Sequence, residues 1–456
     1  MSVEIKPSRQ ENIIARLERI PFTFWHVKVR LIVGVATFFD AFDAITIAYV
    51  LPVLVPLWNI SSSQIGVLIA ISFVGQLIGA VFFGWFAEKY GRKLSLLLTV
   101  IIMGVMSILC ALSWNYNSLF LFRFVQGLAL GGEVPIAATY INELAKAQGR
   151  GKFILLYEIV FVVGLVFAAL LGNWVVPHLG WHYMFFIGGI PALVVPYLRK
   201  GIPESPRWLA SKSRFDEAEK IVDNIEEIVS KNGQISLPPP VISDIKVKER
   251  KSDWRELFRG IYLRRTLTVW VIWFCAYFVT YGLTAWLPSL YSTVYKLPLQ
   301  QSLQYSLITS IGGLAGAFFC AMLIDIVGRK IWFSIAFFGG AFFMFLLWNS
   351  GAGTPSLVLL YASLSYVFIA SISMALYLYS PEIYPTRMRA LGSSVGSGWL
   401  RIASALGPIF TGLILSKYGS LELVFLMFAI VALIGGIITA FFAVETKGRI
   451  LEEVSP

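Results

Sequence analysis

The sequence predicts an all-α integral membrane protein with twelve transmembrane helices arranged as two six-helix pseudo-repeats. Hydrophobic residues make up 57% of the 456 residues, charged residues make up 14%, and the mean hydropathy is +0.74. Soluble domains carry about 25% charged residues, so a chain this apolar needs the bilayer as its solvent. The apolar runs are about 20 residues long and do not alternate with polar residues, which indicates spanning helices and excludes the strands of a membrane barrel.

A charged signature that occurs twice indicates the pseudo-repeat. The segment from Glu88 to Lys93 returns at Asp325 to Lys330, 237 positions later, with the carboxylate and Gly-Arg-Lys in the same register. Further features recur at offsets of 239 and 241: the pairs Glu143/Arg150 and Glu382/Arg389, and the glutamates Glu204 and Glu445. Internal repeats of this kind are the usual architecture of secondary transporters.

The apolar runs place six spans in each half of the chain. We predict spans at 29–56, 63–87, 94–113, 118–141, 152–176 and 182–198, and then at 264–292, 301–325, 331–350, 355–379, 390–416 and 420–443. The chain then divides into an N-terminal segment at 1–28, a first bundle at 29–199, a polar connection at 200–263, a second bundle at 264–443 and a tail at 444–456.

The basic residues predict how the spans are oriented. They cluster on every second connection, for example at 89–93, 146–152 and 387–389, whereas the opposite connections carry few. Basic connections face the cytoplasm. We therefore predict a multi-pass plasma-membrane protein whose N-terminal segment, central connection and tail are all cytoplasmic. The net charge of +11 then reflects membrane orientation, and no nucleic-acid partner is expected.

The polar connection contains one predicted amphipathic helix. Its apolar residues fall at helical spacing among acids and lysines: Phe215, Ala218, Val222, Ile225 and Val229. Two interpretations stay open, a plain linker between the halves and a latch that braces the cytoplasmic gate.

Several motifs resemble signatures of the major facilitator superfamily. Gly84 to Lys93 is similar to the superfamily's loop between the second and third helices, and Asp325 to Lys330 is similar to its counterpart between the eighth and ninth. Pro203 to Leu209, Pro381 to Arg389 and Glu445 to Gly448 resemble sugar-porter signatures. The resemblance covers the whole chain and implies the major facilitator fold, in which two bundles give alternating access to a central cavity.

Other positions differ from sugar porters. The seventh helix reads Thr280-Tyr281-Gly282 where sugar porters carry a Gln-Gln pair, and Phe39-Asp40-Ala41-Phe42-Asp43 resembles a motif of aromatic-acid/proton symporters. Gly127 to Pro135 and Arg401 to Pro408 resemble metabolite, nicotinate and organic-anion carriers. The resemblance therefore implies proton-coupled symport of a small organic acid or related metabolite.

Four charged residues within the first bundle are candidates for proton coupling. A charge at mid-bilayer costs at least about 2.5–3.5 kcal/mol, so each needs a reason. We expect Asp43 to pair with Arg123 in one state and to take a proton in another, with Asp40 sharing that role. A static ion pair is the alternative. Glu133 fits a proton site and a structural contact equally well.

The second bundle supplies most candidates for substrate binding. Arg401 lies deep in the eleventh span among small residues, and its planar guanidinium matches a carboxylate. The alternative for Arg401 is an ion pair with Glu158, which is itself a candidate for a substrate contact or a second proton site. Tyr277, Tyr281 and Trp286 are candidates for stacking on an aromatic acid, with helix packing as the alternative.

The repeated signatures are candidates for a cytoplasmic gate. We expect their charges to pair between the halves when the carrier faces outward, although orientation alone also explains basic residues there. The candidates are Glu88, Arg92, Lys93, Glu143, Arg150, Asp325, Arg329, Lys330, Glu382 and Arg389.

The function predicted from the sequence is proton-coupled symport by a monomer whose partners are a small solute, protons and the bilayer. A sugar/proton symporter is the main alternative, and a non-transporting nutrient sensor of the same fold is a second. No cofactor or metal is expected. An enzyme is not expected, because the sequence shows no set of nucleophile and base and only three histidines.

Overall fold

The structure is a computed structural model of the chain. It describes residues 8–21, 23–144, 150–233, 236–240 and 254–448, and at 150–159, 194, 198, 231–233, 386, 387 and 390 it describes the backbone alone. Throughout these residues the regular structure is helical, without strands.

The first half of the chain forms helices α1 to α8. They are α1 (Arg9–Arg19), α2 (Phe24–Trp58), α3 (Ser62–Tyr90), α4 (Arg92–Ala111), α5 (Tyr116–Leu144), α6 (Arg150–His178), α7 (His182–Gly188) and α8 (Ile190–Gly201). The connection contains α9 (Pro206–Ser211), α10 (Phe215–Gly233) and a 3₁₀-helix at Trp254–Phe258.

The second half forms helices α11 to α17. They are α11 (Gly260–Thr284), α12 (Leu287–Thr293), α13 (Leu299–Val327), α14 (Arg329–Asn349), α15 (Pro355–Glu382), α16 (Thr386–Tyr418) and α17 (Leu421–Phe442).

The described residues contain an apolar helical segment for each of the twelve predicted spans, but one of these segments is short. Eleven spans in the described residues are long and apolar enough to cross a bilayer, with α11 and α12 together forming one of them. The remaining span, predicted at 182–198, is divided into α7 and α8 at Gly189. Pro191 follows directly and has no amide hydrogen to continue the hydrogen-bond ladder, which accounts for the break. The prediction of an all-α membrane fold with two six-helix halves is confirmed.

The two halves meet mainly through α3 with α16, α6 with α13, and α2 with α12. Their closest approaches lie toward the face that carries the connections at 59–61, 179–181 and 419–420, which we call the far face. The opposite, near face carries Gly91, Gly328 and the connection helices α9 and α10. At the far face a Cβ on Gly66 would lie 2.4 Å from the Pro408 carbonyl oxygen, so the backbones nearly touch there.

The predicted amphipathic helix is α10, and it packs on a helix that the sequence analysis missed. The apolar side of α10, including Val222 and Val229, is buried against Ile13 and Leu17 of α1. Ion pairs flank this cluster: Arg9 with Asp216 and Glu219, Arg16 with Asp223 and Glu226, and Arg19 with Glu226. Both helices also contact α9, which packs on α5, so the connection is fastened to the first half.

Candidate functional site

A central cavity lies between the two halves, with a volume of about 140 Å³. Helices α2, α3, α5 and α6 line it from the first half, and α11, α13, α15 and α16 line it from the second. A water molecule in the liquid takes about 30 Å³, so the space suits a solute the size of a few waters or one small ring. Among its described lining residues, Asp40 and Arg401 carry the formal charges.

The Arg401 side chain enters the cavity from the middle of α16 and has few hydrogen-bond acceptors within reach. Its Nη2 donates a long hydrogen bond of 3.5 Å to the carbonyl oxygen of Gly131, across the interface between the halves. Its buried Nε has no hydrogen-bond partner. Guanidinium offers five N–H donors, and buried donors without acceptors are costly, so this group has capacity for an anionic ligand.

Asp40 faces the same cavity from α2. Its side chain is 5% exposed, and its Oδ1 has no hydrogen-bond partner. Asp40 and Arg401 are near enough for their charges to interact. No nitrogen–oxygen distance of 4.0 Å or less joins these two described side chains, so they are not a closed ion pair.

Asp43 lies on a different face of α2 and is enclosed by the first half. Its carboxylate accepts hydrogen bonds from Gln126 Nε2 at 3.0 Å and from Ser107 Oγ at 3.2 Å. Arg123 Nη1 donates to the backbone carbonyl of Asp43 at 3.0 Å and to Gln126 Oε1 at 2.9 Å. Arg123 therefore contacts the backbone of Asp43, and Gln126 bridges the two charges in this conformation. The predicted pairing of the Asp43 carboxylate with the Arg123 guanidinium stays a prediction.

Arg123 retains unused hydrogen-bonding capacity. The side chain is fully buried, and its Nε and Nη2 have no hydrogen-bond partner. These donors are therefore available to a further acceptor in this conformation.

The other two predicted acids are placed differently. Glu133 is fully buried and accepts a hydrogen bond from Thr37 Oγ1 at 3.0 Å, which ties α5 to α2 beside the cavity. Glu133 itself does not line the described cavity. The side chain of Glu158 lies outside the described residues, so its predicted role and its alternative pairing with Arg401 stay predictions.

An aromatic stack forms one wall of the cavity. Tyr277 and Tyr281 are stacked with ring centroids 6.1 Å apart, and Tyr281 also packs on Phe73 of the other half at 4.7 Å. Both tyrosines line the cavity as the stacking prediction requires. Trp286 does not, because its buried indole Nε1 donates to the Pro408 carbonyl oxygen. Trp286 therefore fastens the start of α12 to α16, and its predicted contact with substrate is wrong for this cavity.

The repeated signatures form two equivalent clamps. Arg92 pairs with Glu88 at 2.7 Å and with Glu143 at 3.1 Å, and Arg329 pairs with Asp325 at 2.7 Å and with Glu382 at 3.1 Å. Each clamp joins helices of one half. In this conformation, whose far face is closed, Arg92 and Arg329 are held by carboxylates of their own half. Pairing between the halves when the carrier faces outward stays a prediction.

A half-buried glutamate completes each clamp. Glu204 accepts from the backbone amides of Arg92 and Lys93 at the start of α4, and Glu445 accepts from those of Arg329 and Lys330 at the start of α14. A carboxylate there complements the positive end of the helix dipole. Burial raises the pKa of Glu204, and the amide donors oppose that shift.

Arg389 and Arg150 are the two arginines of the predicted gate that lie outside these clamps. Arg389 makes no ion pair within the described part of the chain, and its buried Nε has no hydrogen-bond partner. The side chain of Arg150 lies outside the described residues.

Sequence reasoning missed several polar residues of the site. Ser107 and Gln126 bind Asp43, and Gly188 leaves the space in which Asp43 and Ser107 meet. Thr280, Ser310, Ser373 and Gln76 line the cavity. Hydroxyl and amide residues are common in apolar spans as helix contacts, and spacing alone does not show which of them converge.

Residues 27–456 match the sugar (and other) transporter family. The chain is 34% identical to the niacin transporter of Acinetobacter baylyi over 97% of this chain and 99% of the relative, and 29% identical to a putative niacin/nicotinamide transporter of Bacillus subtilis over 92% and 96%. A solved D-xylose-proton symporter shares the fold with a TM-score of 0.73 at 19% identity, over 93% of this chain and 99% of that one. These relatives are transporters, so the prediction that the chain is not an enzyme is confirmed. The chain belongs to the sugar (and other) transporter family of the major facilitator superfamily.

Proposed function

We propose that the chain is a proton-coupled symporter of a small organic acid, with niacin or a similar monocyclic aromatic acid as its substrate. The observation that carries this proposal is the unsatisfied guanidinium of Arg401 in a small cavity between the halves. A carboxylate would accept the donors that Arg401 leaves unused. The tyrosine stack beside it offers flat faces to an aromatic ring.

Proton coupling is assigned to Asp43 and its neighbours. When Asp43 is ionised, Arg123 stabilises it, and when Asp43 binds a proton, Arg123 keeps its contacts to the Asp43 carbonyl and to Gln126. Asp43 is three residues from Asp40 on the same helix, so a change at Asp43 acts on the helix that also lines the cavity. Alternating access would then expose Asp43 and the cavity to each side in turn.

The membrane arrangement follows the sequence prediction. We propose that the protein is a monomer in the plasma membrane, that the near face is cytoplasmic, and that residues 29–199 and 264–443 move as separate bundles. The clamps around Arg92 and Arg329 would keep three helices of each bundle together during that motion. The far-face contacts between α3 and α16 would form the external gate in its closed state.

Uptake into proteoliposomes tests the proposal. Radiolabelled nicotinate, benzoate, lactate and hexoses are supplied with and without an imposed inward proton gradient. We expect one of the aromatic acids to accumulate only with the gradient, and Arg401→Lys to abolish that uptake while the protein elutes normally on size exclusion. Uptake of any solute would exclude the sensor alternative.

A sugar/proton symporter is the second candidate, because hydroxyl residues also line the cavity. Thr280, Thr284, Ser310 and Ser373 could hydrogen-bond sugar hydroxyls. Hexose uptake that excess carboxylates leave unaffected would favour this candidate and contradict the proposal.

A further inference from the structure

The central cavity presents one carboxylate and one guanidinium from opposite halves, and each has a buried polar atom that the protein leaves without a hydrogen-bond partner. Asp40 Oδ1 on α2 and Arg401 Nε on α16 are both buried without a hydrogen-bond partner. They do not approach to 4.0 Å, so each leaves room for a ligand atom. A buried charge without a partner is strongly destabilising, and a buried polar group without one needs an explanation.

Charge balance limits which ligand satisfies both groups. The described cavity is neutral with Asp40 ionised and Arg401 protonated. A carboxylate alone would satisfy Arg401 but bring a second negative charge into a low-dielectric space beside Asp40. A cation alone would satisfy Asp40 but bring a second positive charge beside Arg401. A ligand with one negative and one positive group leaves the cavity neutral and gives each protein charge a partner.

The aromatic wall supports a positively charged group in the ligand. Tyr277, Tyr281, Tyr366, Tyr377, Phe73 and Phe161 all line the cavity. Aromatic faces attract cations, and such faces are the usual surroundings of bound quaternary ammonium groups. An aromatic acid without a cationic group would use these rings for stacking alone and would leave Asp40 without a partner.

We infer that the cavity selects a small ampholyte, in which a carboxylate binds Arg401 and a cationic nitrogen binds Asp40 among the aromatic side chains. This inference rests on the proposed function and narrows its substrate class. Asp40 is then a specificity residue that selects substrates with a cationic nitrogen. Asp43, which is enclosed by the first half, carries the coupling proton.

A series of matched ligands tests the inference on the purified full-length protein. N-methylnicotinate carries a permanent positive charge and a carboxylate, benzoate carries the carboxylate alone, and N-methylpyridinium carries the positive charge alone. Isothermal titration calorimetry at one pH gives the affinity of each. We expect N-methylnicotinate to bind the unaltered protein at least about tenfold more tightly than either other ligand, since each charged hydrogen-bonding group contributes that much or more.

Variants at the two charges separate their roles. In Asp40→Asn we expect N-methylnicotinate to bind about tenfold more weakly and benzoate to bind more tightly, because the repelling charge is gone. In Asp40→Glu the preference for the ampholyte should remain, and in Arg401→Lys both acids should weaken. Binding of either acid by a variant shows that it is folded.

The outcomes distinguish this inference from the proposed function. Equal affinity of the unaltered protein for benzoate and N-methylnicotinate would overturn the inference, and so would an Asp40→Asn variant that weakens both acids equally. Either result would leave acid transport standing. If no acid bound but a hexose did, the proposed function would fail, and the inference would fall with it.

Discussion

Asp43 is the residue on which coupling depends in this account. It receives hydrogen bonds from α4 and α5, and the donors of Arg123 that remain unused lie in the same pocket. A carboxyl group whose neighbours can hydrogen-bond both its ionised and its protonated form can bind and release a proton. A saturated ion pair would resist that cycle, because breaking a buried pair costs about 3–5 kcal/mol.

The first prediction concerns Asp43→Asn. The amide keeps the shape of the side chain and removes its charge. We expect substrate counterflow to continue, while uptake driven by a pH gradient falls to the level seen without a gradient. Both are measured in the same vesicles, with the exposed carboxylate variant Asp216→Asn as the control. Continued gradient-driven accumulation in Asp43→Asn would make Asp43 a static contact.

The sequence revealed the charged residues of the site better than its uncharged ones. Asp40 and Arg401 were found because charge is rare and costly within a span. Ser107, Gln126 and Gly188 were missed because their residue types are common in apolar helices. They meet Asp43 only after α4, α5 and α7 have packed against α2. Trp286 was wrongly assigned to the substrate site. The sequence around a tryptophan does not show whether its indole bonds to a backbone carbonyl or stacks on a ligand.

At the scale of the element, the short helix α7 controls the space around Asp43. A Cβ added to Gly188 would lie 2.2 Å from Asp43 Oδ1 and 2.5 Å from Ser107 Oγ. One of these side chains would have to leave its hydrogen bonds. The small size of residue 188 is therefore a requirement of the polar pocket and not of α7 itself.

The second prediction is that Gly188→Ala uncouples transport. Overpacking of a buried site costs about 1–3 kcal/mol, so we expect a lower unfolding temperature together with loss of gradient-driven uptake. Gly34→Ala in α2 is the control, since its nearest neighbouring atom would be 3.6 Å from the new Cβ. Equal uptake by Gly188→Ala and Gly34→Ala would show that Asp43 tolerates displacement.

The pairing of α1 with α10 gives an element-scale contrast between two arginines. Arg16 is 20% exposed and Arg9 is 50% exposed, and each binds two acids of α10. Solvent screens the more exposed pair, so the Arg9 pairs contribute less to the attachment than the Arg16 pairs. The apolar contacts of Ile13 and Leu17 carry the rest of the attachment.

The third prediction is that Arg16→Ala loosens α1 more than Arg9→Ala does. Hydrogen exchange of the α1 amides measures this, and equal exchange in the two variants would contradict it.

Low pH should also weaken the attachment of α1 to α10. Arg9 lowers the pKa of Asp216 and Glu219, so their pairing contributes stability above the ordinary carboxylate range and loses it as the pH falls through the lowered values.

Sequence could have revealed α1 as well. Ser8 and Glu11 form a capping box at its start, and that spacing is a recognised helix signal. The apolar side of α10 was predicted correctly because its five apolar residues recur at regular helical spacing. What the spacing could not show is the partner, since α1 and α10 are about 200 residues apart in the chain.

At the scale of the whole molecule, closure of the far face depends on α3 and α16 approaching through small residues. A Cβ on Gly66 would meet the Pro408 carbonyl, and one on Gly412 would lie 2.5 Å from the Ser62 carbonyl oxygen. Both contacts join the two halves. In the proposed cycle they must form and break once per transport event, so side chains there bias the conformational equilibrium.

The fourth prediction is that Gly66→Ala favours the state in which the far face is open. A clash with backbone disfavours the closed state by about 1–3 kcal/mol, so we expect slower uptake with substrate binding retained. Gly84→Ala in the same helix is the matched control, because nothing lies within 4 Å of its new Cβ. Unchanged uptake in Gly66→Ala would show that this contact does not form a gate.

The most direct test of the account is to count protons that move with the solute. Proteoliposomes in weakly buffered medium receive the acid that the uptake screen identifies, at equal pH on both sides, and the external pH is recorded. We predict that the medium becomes more alkaline in step with solute entry, and that Asp43→Asn abolishes this change. Solute that accumulates against its gradient with no accompanying proton movement would contradict proton-coupled symport.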